Sequence, residues 1–371
     1  MSKFAINMHI PLVDLKAQHD SMKSEIDSAI ERVINNSSFI MGEEVKNFEN
    51  KFADFCGAKH CIGASNGSTA IFATLKVLGI KPGDEVIVPV NTFAATAFAV
   101  TLCHAKPVFV DVNETDFLIN IDLIEKNITP RTKAIIPVHF YGAVCDMDKI
   151  KEIADKHKIH IVEDCAQSTG SKYKGKTVPV CGIGTFSFFP AKILGSMGDA
   201  GAIVSDDDKF AETARKFVNQ GRKDKYFHDI EGFNFRLSSL QAAILSEKLK
   251  HLHNWINKRK EIAEDYSKRL NNISGKQINQ VNSDSAYYMY VIIHSKRDKL
   301  KDYLKENGVE TGVHYPIALH LQPAFAYLGY KKGDFPVAES ISEKILSIPI
   351  FPELAEDGKN KIISLINNFK D

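Results

Sequence analysis

The stretch IHIVEDCAQ, residues 159–167, is a short apolar run that closes on two adjacent carboxylates, Glu163 and Asp164. A run this short with β-branched residues reads as a strand buried on both faces. It has company: HCIGAS (60–65), DEVIVPV (84–90), KPVFVDV (106–112) and TKAIIPVHFYG (132–142) repeat the texture. Between them stand segments with helical spacing, such as GSTAIFATLKVLGI (67–80) and DMDKIKEIADKHK (146–158). Strands that alternate with helices imply an α/β architecture, a mostly parallel central sheet flanked by helices. In such sheets ligands bind beyond the carboxyl ends of the strands, which is where Glu163 and Asp164 fall.

Upstream, HDSMKSEIDSAIERVIN (19–35) and EEVKNFENKFADFCG (43–57) carry helical periodicity. Downstream, the pattern predicts a long helix leading out of the sheet unit near residues 255–270, and then a change of texture. Strands are expected near YYMYVIIHS (287–295) and VETGVHYP (309–316), with helices near KLKDYLKEN (299–307) and GKNKIISLINNF (358–369). The chain is therefore read as two units: an N-terminal segment with a large α/β domain over 1–255, and a small C-terminal α+β domain over 256–371.

Apolar residues make up 44% of the 371 and charged residues 25%, the composition of an ordinary globular protein. With 47 Lys and Arg against 46 Asp and Glu, nothing global attracts nucleic acid or a membrane surface, so an anionic ligand must be held locally. The first residues, MSKFAINMHIPLVDL, lack the continuous apolar centre of a signal peptide, and no stretch approaches the roughly 20 apolar residues of a membrane helix. A cytoplasmic location is expected. Six cysteines without a C-x-x-C pair suggest reduced, buried small residues, and no metal is expected.

The lysine in FSFFPAKILGSMGDAGAIV (186–204) raises the chemical question. Lys192 stands in an apolar run, where desolvation favours its neutral, nucleophilic amine. A lysine and a carboxylate can be a plain ion pair. Both, however, fall at ends of apolar strands of one sheet, and GASNGSTAIF (63–72) adds Gly67, Ser68 and Thr69 at the first turn of a helix, where free amides bind an anion. For Ser68 alone an ordinary N-cap explains as much. Pyridoxal phosphate needs the three features together: a lysine for its aldehyde, a carboxylate for its ring nitrogen and a cradle for its phosphate. Ser187 offers a further hydroxyl.

The segments NGSTAIFATLKVLGIKPGDEVIVPVNTFAATA, VEDCAQSTGSKYKGK, GTFSFFPAKILGSMGDAGAIVSDD and EGFNFRLSSLQAAIL, in this order, resemble the DegT/StrS-type nucleotide-sugar aminotransferases, over nearly the whole chain. The resemblance implies a pyridoxal-phosphate-dependent transferase of fold type I, the aspartate aminotransferase fold. It implies that Lys192 is the catalytic Schiff-base lysine, that Asp164 faces the pyridine nitrogen, and that Phe93 stacks on the ring with Gln167 beside it. Gly67, Ser68 and Ser187 match phosphate ligands, and Asn234 matches a residue that reaches the phosphate of the neighbouring subunit, hence a homodimer with shared active sites. Ala200 stands where glycine is usual, and Ser68 replaces a frequent threonine. Some relatives carry histidine in place of the lysine and act as dehydratases; here Lys192 is present, which implies transamination.

The resemblance further implies L-glutamate as donor, a nucleoside-diphosphate-linked keto-sugar as acceptor, pyridoxamine phosphate as the alternate cofactor form, and a place in glycan, O-antigen or lipopolysaccharide biosynthesis. GVHYPIALHLQPAFAYLGY (312–330) is most like members acting on 3-keto sugars, with Ala318 in place of a usual proline. A dTDP-3-keto-6-deoxyhexose is the first reading; a 4-keto sugar or a UDP-3-keto sugar remains open. Arg236, His314, Tyr315 and His320 are candidate substrate contacts, each histidine being as readily a packed or solvated one. Arg222, Lys223 and Lys225 form a candidate diphosphate loop, or a plain surface loop.

Two rivals stand beside this. Gly63, Ser65 and Gly67 fit G-x-S-x-G, so a serine hydrolase could use Ser65 with Asp164 and His228. A non-catalytic sensor could keep the fold and bind the same ligands, although no DNA-binding segment is evident.

Overall fold

The computed structural model describes residues 8–279 and 281–370. Residues 1–7, part of the stretch read as lacking a leader, lie outside the described residues. The strands are, in chain order, β1 (His60–Ala64), β2 (Glu85–Pro89), β3 (Lys106–Val110), β4 (Thr132–Ile135), β5 (His160–Asp164), β6 (Lys172–Tyr173), β7 (Lys176–Thr177), β8 (Ile183–Ser187), β9 (Gly201–Ser205), β10 (Gly275–Lys276), β11 (Ser283–Asp284), β12 (Tyr290–Ile293) and β13 (Ile345–Ile348).

Seven strands form the central sheet in the order β1-β9-β8-β5-β4-β2-β3. β3, β2, β4, β5 and β8 pair in parallel, and β9 runs antiparallel between β8 and β1. The carboxyl ends of β2, β4, β5 and β8 therefore open on one edge of the sheet, as the apolar runs implied. The helix Gly67–Val77 packs against β8 and β9, which brings its first turn to that edge.

A buried carboxylate locks the centre of this edge. Glu163 Oε1 accepts hydrogen bonds from the Val180, Cys181 and Gly182 amides at 2.9, 2.8 and 2.7 Å. Its Oε2 lies 2.9 Å from His139 Nε2, and the Cys145 amide donates to His139 Nδ1 at 3.3 Å, so Nε2 is the ring nitrogen that donates to the carboxylate. Burial pushes the Glu163 carboxyl up, but the His139 and backbone hydrogen bonds outweigh it and hold it below its ordinary range. The result ties β5 to the turn that starts β8. His139, Glu163 and Cys165 lie close enough together for a metal ion, but the carboxylate is already engaged by four donors, and Glu163 with His139 forms a structural strut.

The aromatic run before Lys192 splits by strand alternation. Phe186 and Phe188 are fully buried against Phe52, with ring centroids 5.0 and 5.1 Å away in edge-to-face contact. Ser187 and Phe189 face the other way. Phe186 and Phe188 thus serve the core and Phe189 is about half exposed, a correction to the expectation that the adjacent phenylalanines form the apolar setting of the amine.

The remaining expectations meet the structure unevenly. The 19–35 segment is two helices, Leu15–Ser21 and Lys23–Asn36, parted at Met22. The exit helix is longer than expected, Ser239–Arg269, and passes residue 255 without a break. Its latter half supplies Ile262, Ala263 and Tyr266 to a second core, which also holds Tyr290, Ile292, Leu300, Leu346 and Ile362. That core lies under the antiparallel sheet β10-β12-β13 and the helices Arg297–Glu306 and Glu356–Asn368. The main core, for its part, takes in Ala286, Val291 and Phe325. The strand expected at 309–316 is only an extended segment with single bridges, Val309 to Ile10 and Gly312 to Ser347, because the His314 carbonyl is taken by the Tyr141 hydroxyl. All six cysteines are free, five of them buried.

Glu163→Gln removes the charge from four hydrogen bonds in a dry site. We expect it to destabilise the chain by about 3 kcal/mol, measured by denaturant unfolding; a loss within experimental error would refute the strut.

Candidate active site

Asp164 ends β5 and is 4% exposed. Its Oδ2 accepts from Thr96 Oγ1 at 2.8 Å and its Oδ1 from the Ala166 amide at 3.1 Å. Burial pushes this carboxyl up, against those hydrogen bonds and the charge of Lys192. A buried acid with a raised pKa, left short of a full cationic partner, is suited to a protonated ring nitrogen.

Lys192 follows β8 on a tight loop. Its amide donates to the Phe189 carbonyl at 2.8 Å, and Ser196 Oγ closes the loop on the Phe188 and Gly198 carbonyls. The amine lies over the Tyr288 ring, 4.4 Å from its centroid. Burial lowers the Lys192 pKa to about 8, with Asp164 pulling the other way. Near neutral pH the neutral amine is within easy reach, as a nucleophile and proton carrier requires.

The anion cradle is built by a capped helix and a close approach. Asn66 Oδ1 accepts the Thr69 amide at 2.9 Å, and Thr69 Oγ1 accepts the Asn66 amide at 3.2 Å. Thr69 is thus consumed by the cap, while the amides of Gly67 and Ser68 have no partner within the helix. A Cβ on Gly67 would sit 2.8 Å from Ser187 Cβ, and one on Gly201 would sit 2.5 Å from the Asn66 carbonyl carbon. Glycine at these two positions lets the helix start and β8 come together with the Ser187 hydroxyl beside them. Glycine is needed at 201 and not at 200, which is why Ala200 fits.

Phe93 caps the helix Ala94–Leu102 and keeps 55% of its surface exposed. Its ring lies 5.7 Å from Tyr315, so an apolar face is presented on this edge. Gln167 Oε1 accepts the Tyr141 amide at 2.9 Å, and its side chain also meets Tyr315. Tyr141 holds φ 60°, a left-handed conformation costly outside glycine, and its hydroxyl donates to the His314 carbonyl. His314 Nδ1 lies 2.9 Å from Ser347 Oγ. Burial and the nearby Lys192 charge depress its pKa to about 4, so it stays neutral.

Other nominees stand apart. His320 is buried, 2.9 Å from Glu339 Oε1 and 4.7 Å from the Phe335 ring; it is a packed histidine. Arg236 Nη1 donates to Asn219 Oδ1 at 3.2 Å, and Asn234 is exposed and bridged to Asn219. Arg222 and His228 pair across a hairpin. The hydrolase triad does not form. Ser65 Oγ pairs with Thr69 Oγ1 at 3.0 Å, His228 Nδ1 with the Gln220 carbonyl at 2.7 Å, and Asp164 with Thr96. A groove of about 400 Å³ opens instead at the amino ends of β5 and β8, but Lys176 there is bound to the Val180 carbonyl and Lys151 to Asp155.

Sequence reasoning missed Thr96, Tyr141 and Tyr288. Thr96 lay inside the quoted NTFAAT, three residues after Phe93, one helical turn on.

A lysine amine, a buried carboxyl at a strand end and an amide cradle on one edge of a parallel sheet are the three features that pyridoxal phosphate needs, on the fold of a type I transferase. Residues 20–367 match the DegT/DnrJ/EryC1/StrS aminotransferase family, and the chain belongs to it. It is a pyridoxal-phosphate-dependent aminotransferase. Similar proteins include a "Pleiotropic regulatory protein" of Geobacillus stearothermophilus, 44% identical over 98% of this chain and 99% of that one. The UDP-2-acetamido-2-deoxy-3-oxo-D-glucuronate aminotransferase of Pseudomonas aeruginosa is 42% identical over 97% and 100%. The dTDP-3-amino-3,4,6-trideoxy-alpha-D-glucose transaminase of Streptomyces venezuelae is 38% identical over 100% and 99%. The crystal structure of S. venezuelae DesV superposes with a TM-score of 0.96 at 38% identity, covering 98% of this chain and 100% of that one.

The Lys192 pKa carries a stability consequence. Below about 8 the folded, cofactor-free chain keeps a buried ammonium that the unfolded chain, at an ordinary 10.5, hydrates. Stability therefore rises with pH between those values, where the unfolded chain binds the extra proton. Lys192→Met should stabilise the cofactor-free chain at neutral pH by about 1–3 kcal/mol and flatten that rise in urea unfolding. A less stable variant would contradict the desolvated amine.

Proposed function

We propose that this aminotransferase moves an amino group from L-glutamate to a keto-sugar carried on a nucleoside diphosphate, first of all a dTDP-3-keto-6-deoxyhexose, giving the 3-amino sugar. The carrying observation is that His314, from the stretch most like 3-keto-sugar enzymes, feels the Lys192 charge, with Tyr315 next to it in sequence and 5.7 Å from the Phe93 ring. The names of the Streptomyces and Pseudomonas relatives, both for 3-position chemistry, support the reading. They also keep a UDP-3-keto sugar in play, with a 4-keto sugar as the further alternative.

When bound, the cofactor supplies an electron sink that weakens bonds at the amino carbon. The chain's own residues do the rest. Gly67 and Ser68 amides with Ser187 would hold the phosphate, and Asp164, braced by Thr96 and the Ala166 amide, would keep the ring nitrogen protonated. Phe93 would cover the ring, with Gln167 beside it, held through the Tyr141 amide. Lys192 Nζ, whose lowered pKa of about 8 keeps its neutral form accessible near neutral pH, would accept and return the proton that moves during the exchange. His314, uncharged, offers a polar contact without drawing the diphosphate inward.

Asn234, Arg236 and the Arg222–His228 hairpin, with Lys223 and Lys225, fit best as contributions to the site of a second copy. Exposed Phe39, Ile40 and Met41 run beside Ser238 and Ser239 at the start of the long helix, an apolar strip suited to a homodimer. We place the small domain at 256–371, the enzyme in the cytoplasm and its product in surface-glycan or lipopolysaccharide assembly. Among the described residues, no helix is long and apolar enough to cross a membrane. The Geobacillus relative's name keeps a regulator as the second reading.

Purified protein, supplied with L-glutamate and dTDP-, UDP- and GDP-linked 3-keto and 4-keto sugars, should release 2-oxoglutarate with the dTDP-3-keto sugar at a kcat/KM about tenfold or more above the 4-keto sugars, a difference of roughly 1.4 kcal/mol. Turnover of 4-keto sugars alone would displace the proposal, and binding without any turnover would favour the regulator.

A further inference from the structure

The Lys192 amine occupies a place that none of the roles above explains. Its Nζ lies 4.4 Å from the centroid of Tyr288, on a ring face whose negative quadrupole attracts a cation. Burial raises the Tyr288 hydroxyl to about 12, so the ring stays neutral across the working range.

Tyr288 is itself held from behind. Arg259, in the middle of the long helix and 3% exposed, donates through Nη1 to the carbonyls of Ile350, Tyr287 and Tyr288 at 2.7, 3.2 and 3.4 Å. Burying a guanidinium is costly unless its donors are used. Here Nη1 is used on backbone, two of its three carbonyls belonging to the segment that presents the Tyr288 ring, while Nε is buried without a partner. Glu353 is the carboxylate that acts on it.

The other groups around the amine would serve it badly. Asp164, from β5, is the one acid facing it; an ammonium paired there would neutralise the carboxylate meant for the ring nitrogen. His314 and Tyr315, from the extended segment 309–316, are held neutral by burial and supply no counter-charge to it.

We propose that the Tyr288 ring is the resting seat of the Lys192 amine whenever that amine is not bonded to the cofactor, and that Arg259 is the positioning residue that holds the seat. The ring keeps the freed ammonium within reach of the carbon it serves and away from Asp164. This rests on the assignment of Lys192 as the cofactor lysine and is independent of the sugar.

The test uses full-length protein loaded with pyridoxamine phosphate, in which Lys192 is free. Its rate of labelling by a small acylating reagent, followed by peptide mass across neutral to alkaline pH, gives the midpoint at which the amine loses its proton. Because the ring stabilises the ammonium, Tyr288→Leu should lower that midpoint by about one pH unit, and Tyr288→Phe should keep it. Arg259→Lys should lower it by a smaller amount. Tyr288→Met is read in place of Tyr288→Leu if near-ultraviolet circular dichroism finds the latter unfolded. An unmoved midpoint in the folded leucine or methionine variant overturns the seat. A lowered midpoint there with an unmoved one in Arg259→Lys overturns the positioning role. Failure of the cofactor assignment would be read separately, as the lack of a cofactor mass on Lys192 after reduction of the pyridoxal-phosphate form.

Discussion

The carboxylate of Glu163 is the fixed point of this molecule. One side chain, entirely buried, gathers three consecutive backbone amides and an imidazole. It binds the end of β5 to the turn from which β8 sets out, so the register of the two strands is fixed there. The chemistry follows from that register: Asp164 is the next residue of β5, and Ser187 and then Lys192 lie at and beyond the end of β8. An acid in the same E-D pair thus does structural work while its neighbour, pointing to the other face, is free for chemistry.

From that register the cradle follows by close packing. Gly67 can meet Ser187, and Gly201 can meet Asn66, only without side chains. The helix dipole and unpaired amides then face the same edge as Asp164. The geometry needs little help from flexible parts, because the helix start, both strand ends and the lysine loop are each closed by their own hydrogen bonds.

The sheet was readable because its signals are local. Continuous apolar runs, helical periodicity and the glycine at a helix start are printed in consecutive residues, and Asp164, Lys192, Gly67 and Phe93 fall at the ends of those runs. The long helix was legible in kind but short in extent, since its first turns carry alanine and serine in place of a marked stripe. The surroundings of Lys192 were not legible. The FSFF run invited the view that adjacent phenylalanines desolvate the amine, but alternation sends Phe186 and Phe188 to the core, and the dry wall comes from Tyr288, nearly a hundred residues later in the sequence. His320 misled for the opposite reason: its neighbours in sequence approach the site, while its ring turns to Glu339 and Phe335. No local pattern encodes which distant element will cover a side chain.

The central claim is that Lys192, in the frame set by Glu163 and opposite Asp164, is the residue that carries the cofactor. Borohydride reduction of the purified protein, followed by peptide mass mapping, tests it directly. The account predicts a cofactor mass on the peptide containing Lys192 and on no other lysine. An unmodified Lys192, or the mass on a different lysine, would contradict it.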